Sequence, residues 1–425
     1  MKAFWYIIYN FIFIPLFFAV VKIASLFNKK IKRGIEGREK IFENLIIELL
    51  RLDRTKKMIW FHSSSLGEFE QAKPIIEEIK RSRDVNIIVT FYSPSGYENS
   101  KKYPYADLIT YIPFDTSFNA TRFLKFTRPD LVILMRYDIW PNHVWAMKEL
   151  KVTSFLVDAT LASNSPRKYF LIRNFHKLLF DDISKILTVS EKDKNEFLKF
   201  SLDRKKVKVV GDTRFDRVYQ KSLTAKQKGL INENVLQNKK VLVAGSTWEQ
   251  DEEILFPAFK RLNKERDDIL IIIAPHEPGQ KNIERIENEL EKELQTIRFS
   301  LLNNYSNEKI IIVDSIGILL TLYSYANVAF VGGSFKQNIH NVLEAAVYGI
   351  PVLYGPKINK SIEAKELLKQ KGGILIKNKD EAYKEMGLLF QEENLRKERG
   401  KISYDFVHNN LGATKKILEE IYTII

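Results

Sequence analysis

At 425 residues the chain is too long for one ordinary hydrophobic core, so two domains are the default. Its composition, 45% hydrophobic and 28% charged, is that of a folded globular protein, and the absence of Cys excludes disulfides, thiolate metal sites and a thiol nucleophile. Lys plus Arg exceed Asp plus Glu by 67 to 53, a formal charge of +14 that points to an anionic partner: nucleic acid, acidic lipid or a phosphorylated substrate.

The N-terminus narrows that choice. From Phe4 to Val21 the segment FWYIIYNFIFIPLFFAVV carries no charge. As a helix it would run about 27 Å, close to the hydrocarbon thickness of a bilayer. Trp5, Tyr6 and Tyr9 fall where an interfacial aromatic belt would lie. Lys29, Lys30, Lys32 and Arg33 follow closely, and the positive-inside rule places this flank in the cytoplasm. A cleaved signal peptide fits less well, because the apolar run is long and Lys22 follows it directly. A helix lying in the interface stays open, since Pro15 interrupts the run. The expectation is therefore a single N-terminal membrane anchor (1–27) with the remaining chain on the cytoplasmic side, and the basic cluster suits a surface of acidic lipid.

Behind the anchor, short β-branched runs alternate with helical patterns. In the first half they are 58–62, 86–92, 107–114, 130–135, 153–158, 185–190 and 207–211; in the second, 240–246, 269–275, 309–314, 327–333, 351–355 and 373–377. Continuous apolar strands separated by helices predict parallel sheets covered on both faces, here as two doubly wound α/β domains. The polar stretch after Lys221 marks the boundary, giving domains 28–221 and 222–425. Ligands of such sheets bind beyond the carboxyl ends of the strands, which directs attention to the strand-to-loop junctions.

At those junctions, FHSSSLGEFE places Glu68 in the first turn of a helix. LMRYDIWPN places Asp138, Trp140 and Asn142 past a strand, TSFLVDATLASNSPRKY does so for Asp158, Ser163 and Arg167, and GDTRFDRV places Arg214 near the boundary. In the second half Gly245, Ser246 and Thr247 precede a helix that Ser246 would cap with Glu249, a ready anion site. Pro275 and His276 close the next strand. Ser334 follows a Gly-Gly pair, and Asn341 would cap a helix carrying Glu344, a carboxylate suited to ribose hydroxyls. The sequence has no Asp-x-Asp, no His-Glu-x-x-His, no Gly-x-Ser-x-Gly and no dinucleotide-binding glycine fingerprint. Metal, serine-hydrolase and hydride chemistry are thereby disfavoured, and no cofactor is expected.

Anchor, cationic flank, FHSSSLGEFEQAKPII, DIWPN, GDTRFDRV, AGSTWEQDEEIL, APHEP and HNVLEAAVYGIPVLYGP occur in that order. The ordered set resembles the 3-deoxy-D-manno-octulosonic acid (Kdo) transferase family across essentially the whole chain. The resemblance implies a GT-B glycosyltransferase: two facing Rossmann-like domains behind an N-terminal membrane-anchor helix. It implies metal-independent, inverting transfer of Kdo from CMP-Kdo to a lipid A precursor of the lipid IVA type, in lipopolysaccharide biosynthesis at the inner leaflet. It also implies the inner membrane, a phosphorylated lipid partner and no nucleic acid. The acceptor would bind the first domain and CMP-Kdo the second. Position by position, the general base falls on Glu68 and a second acidic residue on Asp138. CMP contacts fall on Ser246, Thr247, Pro275, His276, Ser334, Asn341 and Glu344, with Arg214 beside them. The chain departs from the family in three places: Arg136 stands where many members have an acid, KQNIHN replaces a double-glycine run, and APHEPGQ lacks a following Arg.

Glu68 has a second reading, because Ser65 to Glu68 is itself a capping box and needs no function. The alternatives for the whole chain are another GT-B nucleotide-sugar enzyme, such as a UDP-sugar transferase or epimerase, and a catalytically dead membrane-bound scaffold.

Overall fold

The structure, a computed structural model, describes residues 2–425. The first sheet holds β1 (Met58–Ser63), β2 (Asn86–Phe91), β3 (Leu108–Tyr111), β4 (Leu131–Met135), β5 (Thr153–Ala159), β6 (Lys185–Thr188) and β7 (Val207–Val209). Its order is β3-β2-β1-β4-β5-β6-β7, and every pairing is parallel. The second holds β8 (Lys240–Thr247), β9 (Ile269–Pro275), β10 (Thr296–Arg298), β11 (Ile310–Ile312), β12 (Val328–Val331), β13 (Val352–Tyr354) and β14 (Gly373–Leu375). Its order is β10-β11-β9-β8-β12-β13-β14, again all parallel. Central strands are buried on both faces, as their unbroken apolar runs require. These are the two doubly wound α/β units of the expected GT-B class. In each sheet the chain reverses direction beside its first strand, between β1 and β4 and between β8 and β12, where α/β ligands bind.

The units divide differently from the sequence expectation. The first runs to Arg217 and takes back Leu411–Ile425; the second is Val218–Asn410. The division falls inside the helix Thr213–Ala225, not after Lys221. Arg217 is held by Glu70 and Glu77, each at 3.1 Å, in the first unit. The C-terminal helix, expected with the second domain, also belongs to the first. Asp216 accepts from the Gly412 and Thr414 backbone N–H groups at 2.7 and 2.6 Å. Ile417, Leu418 and Ile421 then bury into the same core as Ile75 and Ile79.

The N-terminal apolar segment is a helix, Lys2–Phe27, long and apolar enough to cross a membrane. The irregularity expected at Pro15 is a π turn at Tyr9–Phe13, where the Ile14 N–H reaches the Tyr9 carbonyl. The wide turn keeps Tyr9 and Ile14, five positions apart, both buried against the first unit. Asn28 leaves helical geometry and caps the next helix, Lys29–Glu39, accepting from Lys30 N at 2.9 Å. On that helix Lys29, Lys30, Lys32 and Arg33 are exposed, while Arg38 is buried and bonds the carbonyls of Ile112, Gly34 and Tyr92.

Candidate active site

The carboxyl ends of β1 and β4 bring together Glu68 and Asp138, distant in sequence. Ser65 caps the helix Leu66–Ser82, but weakly, at 3.4 Å from Glu68 N. The reciprocal bond of a capping box is displaced by one residue: Glu68 Oε2 accepts from Ser64 N at 2.6 Å. Its other oxygen, Oε1, has no hydrogen-bond partner among the described residues. Glu68 is only 8% exposed. Burial, then the charge of Asp138, raises its pKa, while Ser64 N–H, His62 and Arg136 pull the other way.

Asp138 is the fixed charge of the pair. Its Oδ2 is 2.7 Å from His62 Nε2 and accepts from Trp140 Nε1 at 3.2 Å. Although burial opposes it, the bond to His62 leads the influences that hold Asp138 below the ordinary carboxylate range. His62 is oriented from behind: its Nδ1 lies 2.8 Å from Thr90 Oγ1, which also accepts from Trp60 Nε1 at 2.8 Å. With Thr90 donating to Nδ1, a neutral His62 presents Nε2–H to Asp138. The two environments push the carboxylates apart: Asp138 stays ionised, and Glu68 is poised to take a proton.

Next to this pair the backbone is strained. Arg136, directly after β4, and Asp158, within β5, have φ of 62° and 51°, in the left-handed region that non-glycine residues avoid. Asp158 is buried and bonded by the Thr213 hydroxyl and backbone N–H. Burial and the charge of Asp212 raise its pKa. Arg214, expected at the donor, is in the first unit, where its Nε and Nη2 grip Asp212 at 2.5–3.1 Å. The Arg136 charge lowers both Glu68 and Asp158, so it offsets the surrounding carboxylates.

The second unit holds the remaining expected residues, with corrections. Ser246 does not cap a helix with Glu249; it lies in β8 at φ 54°. The helix begins two residues later, and Asp251 fastens it by accepting from Trp248 N at 2.9 Å and, across the loop, from Gly333 N at 2.7 Å. Thr247 is buried and donates to Glu252 at 2.8 Å, and Ser334 is buried and accepts from Gly355 N at 2.6 Å. Both hydroxyls are bonded within the scaffold. Gly332 is obligatory, since a Cβ there would come within 2.2 Å of the Ser246 carbonyl oxygen.

What remains accessible is a group of rings. His276, just after Pro275 and β9, stacks on His340 at 4.4 Å and lies 4.6 Å from the Trp248 ring. Trp248 Nε1 donates to His340 Nε2 at 3.1 Å, which fixes His340 as a neutral acceptor at that nitrogen. Burial, then His276, lowers the His340 pKa to about 4. Lys336 Nζ sits 3.2 Å from the Trp248 ring centroid. Asn341 accepts from Leu343 N at 3.1 Å and donates to Glu344 at 3.2 Å, a preset amide–carboxylate pair. Among the described residues no group of three or more His, Asp or Glu side chains is placed to hold a metal.

Sequence reasoning did not single out His62, Trp248 or Lys336. His62 is adjacent to the quoted serines, but its link to Asp138 crosses from one strand end to another. Only a strand-order prediction would have found it.

The family model described as 3-deoxy-D-manno-octulosonic-acid transferase (kdotransferase) matches residues 39–217, which include Glu68 and Asp138. The 3-deoxy-D-manno-octulosonic acid transferase of Rickettsia bellii is 29% identical over 429 residues, 99% of this chain and 98% of its own. Over these matches the chain is similar to the Kdo transferase family. A second Kdo transferase, from Haemophilus influenzae, is 26% identical over 370 residues, 85% of this chain and 86% of its own. Among solved structures, the UDP-GlcNAc 2-epimerase of Neisseria meningitidis superposes with a TM-score of 0.60 over 86% of this chain and 100% of its own. At 16% identity that likeness speaks to the fold alone. The likeness is to a glycosyltransferase family, and the alignment to the Rickettsia bellii relative extends it beyond residue 217 to 99% of the chain.

Proposed function

We propose that this protein is a Kdo transferase that moves Kdo from CMP-Kdo to a hydroxyl of a phosphorylated lipid A precursor of the lipid IVA type, with inversion, in lipopolysaccharide biosynthesis. One observation carries the reading: Glu68 is a buried carboxylate with a raised pKa, one oxygen anchored on Ser64 N–H and the other unbonded, at the β1–β4 junction. A sugar hydroxyl is a weak nucleophile. As its oxygen bonds to the anomeric carbon of Kdo, the bond to CMP breaks and CMP departs with the electron pair. The hydroxyl proton passes to Glu68 Oε1. Attack on the face opposite the leaving CMP inverts the centre. Asp138, held ionised by His62, supports the mechanism by keeping Glu68 basic and by offering a fixed acceptor to a neighbouring acceptor hydroxyl.

For the donor, we assign the Trp248, His276 and His340 rings to the nucleobase side and Lys336 to the phosphate. Asn341 and Glu344 suit the ribose hydroxyls. Arg136 and Arg214, fixed among carboxylates of the first unit, suit the anionic groups of donor sugar or acceptor.

How the first helix is held supports a location. Lys2 pairs with Asp182 at 2.7 Å, Tyr9 bonds Asp115 at 2.7 Å, Asn10 bonds Asn142 at 3.0 Å, and the Phe18 ring packs 5.0 Å from Phe114. A helix fastened along that much of its length cannot cross a bilayer upright without drawing its unit in. We therefore place it flat in the cytoplasmic leaflet, outer face in lipid, with Lys29, Lys30, Lys32 and Arg33 meeting acidic headgroups. Incubation of the full chain with lipid IVA and CMP-Kdo, with product mass and anomeric configuration determined, tests the reading. An inverted Kdo adduct is expected. Release of CMP without adduct, or equal use of a UDP-sugar, would overturn it.

A further inference from the structure

The first unit contains a cavity of about 590 Å³, within the usual size of small-ligand pockets, that no step above uses. One wall is the first helix, through Ile8, Tyr9 and Phe13. Facing it are Ile172 and Phe175, from the helix Phe170–Asp182. Asp138, the same carboxylate that bonds His62 beside the candidate base, also lines it. The cavity is therefore mostly apolar and shares Asp138 with the candidate active site. A ligand filling both has an apolar tail and a hydroxylated head.

Four further observations say what kind of ligand. The helix that forms the wall leaves its other side apolar and open, with Phe11 73% and Leu16 62% exposed, so lipid covers it. Phe13 lines the cavity and is itself half exposed, so the cavity wall reaches the lipid-facing side of the helix. Arg167 is the one cation among the lining residues. Its guanidinium donates to the Tyr137 carbonyl at 3.2 Å and lies 5.7 Å from the Tyr137 ring, which fixes a positive charge in the cavity wall. The π turn stacks the Tyr9 and Phe13 rings at 5.1 Å, and such turns concentrate at functional sites.

We propose that this cavity is a subsite for one acyl chain of the acceptor, with the first helix as a substrate-binding wall and Arg167 meeting an acceptor phosphate at its rim. The proposal rests on the reading that the acceptor is an acylated, phosphorylated sugar. The tail threads beside Phe13, and the head group is thereby delivered to Asp138 and Glu68. The anchor then selects the acceptor as well as holding the enzyme at the membrane.

The test uses the full chain in detergent, with lipid IVA and its fully deacylated counterpart as the two acceptors. Ile172→Trp fills the cavity; Ile172→Ala enlarges it and controls for misfolding, with melting temperatures recorded for both. Ile172→Trp is expected to raise KM for lipid IVA about tenfold and to leave kcat/KM for the deacylated acceptor within twofold. Equal effects on the two acceptors, or none on either, overturn the proposal; the second result would mean that the cavity holds a bulk membrane lipid or nothing. A lipid IVA analogue with a diazirine at an acyl terminus, irradiated with the enzyme, gives a readout independent of turnover. Label on the Ile8–Phe13 or Ile172–Phe175 peptides supports the subsite even if no Kdo is transferred, in which case the proposed function alone fails. Label confined to other peptides overturns the subsite.

Discussion

Removing one hydroxyl, in Tyr9→Phe, should loosen the first helix from its unit. Tyr9 Oη donates to Asp115 Oδ2 at 2.7 Å, and both residues are buried. Asp115 also accepts from the backbone N–H groups of Asn142 and His143, each at 3.1 Å, and sits 2.6 Å from His143 Nδ1. It is thus a hub that ties the anchor to the helix Pro141–Glu149. The ring contacts of Tyr9 with Phe13 and Trp145 survive the substitution, so the loss is the hydrogen bond itself. A hydrogen bond to a charged group contributes about 1.5–3 kcal/mol. For a unit of this size each kcal/mol is about 2–4 °C of melting temperature, so a drop of about 3–12 °C is expected. Thermal unfolding of the full chain in detergent, followed by Trp fluorescence, measures it. Tyr6→Phe is the control: its hydroxyl bonds Ser117 at 2.8 Å but is exposed, and the change should stay within about 0.5 kcal/mol. A Tyr9→Phe melt indistinguishable from that of Tyr6→Phe would refute docking through Asp115.

Arg136→Met removes a charge that lowers the Glu68 pKa. The base must be ionised to act, so the acidic limb of kcat/KM against pH should move to higher pH; an unmoved limb would exclude Arg136 from tuning Glu68. His340 is held to about 4 in the folded chain against an ordinary 6.5, so unfolding takes up a proton between those values. Its contribution to stability is present above 6.5 and lost as pH falls toward 4, and His340→Gln should flatten that part of the melting-temperature profile.

The sheets were legible because buried parallel strands are written as continuous apolar runs. Each of the thirteen runs lies on a strand, whereas β10, only Thr296–Arg298, carries no such run and was missed. The return of the C-terminal helix was not legible. The spacing of Ile417, Leu418 and Ile421 announces an apolar face, but nothing local says which sheet it covers. Glu68 was visible because strand, small-residue loop and helical carboxylate are contiguous. Its partners were not: His62 and Asp138 meet only through the pairing of β1 with β4, and Trp248, His276 and His340 only through the order β9-β8-β12. Ser246 and Thr247 misled for a local reason. They look like a cap, but β8 continues through both, and the helix starts where Asp251 can reach Trp248.

The central claim is that Glu68 takes the acceptor proton, and turnover of Glu68→Gln tests it most directly. Gln retains an oxygen for Ser64 N–H, so melting should change by no more than about 1 kcal/mol. CMP affinity should hold, because the proposed nucleotide contacts lie in the other unit. The rate of Kdo transfer should fall by about 10²–10⁴, the usual contribution of a general base. Near-native turnover in a folded, CMP-binding Glu68→Gln enzyme would remove Glu68 from the chemistry and leave it a helix-terminal brace.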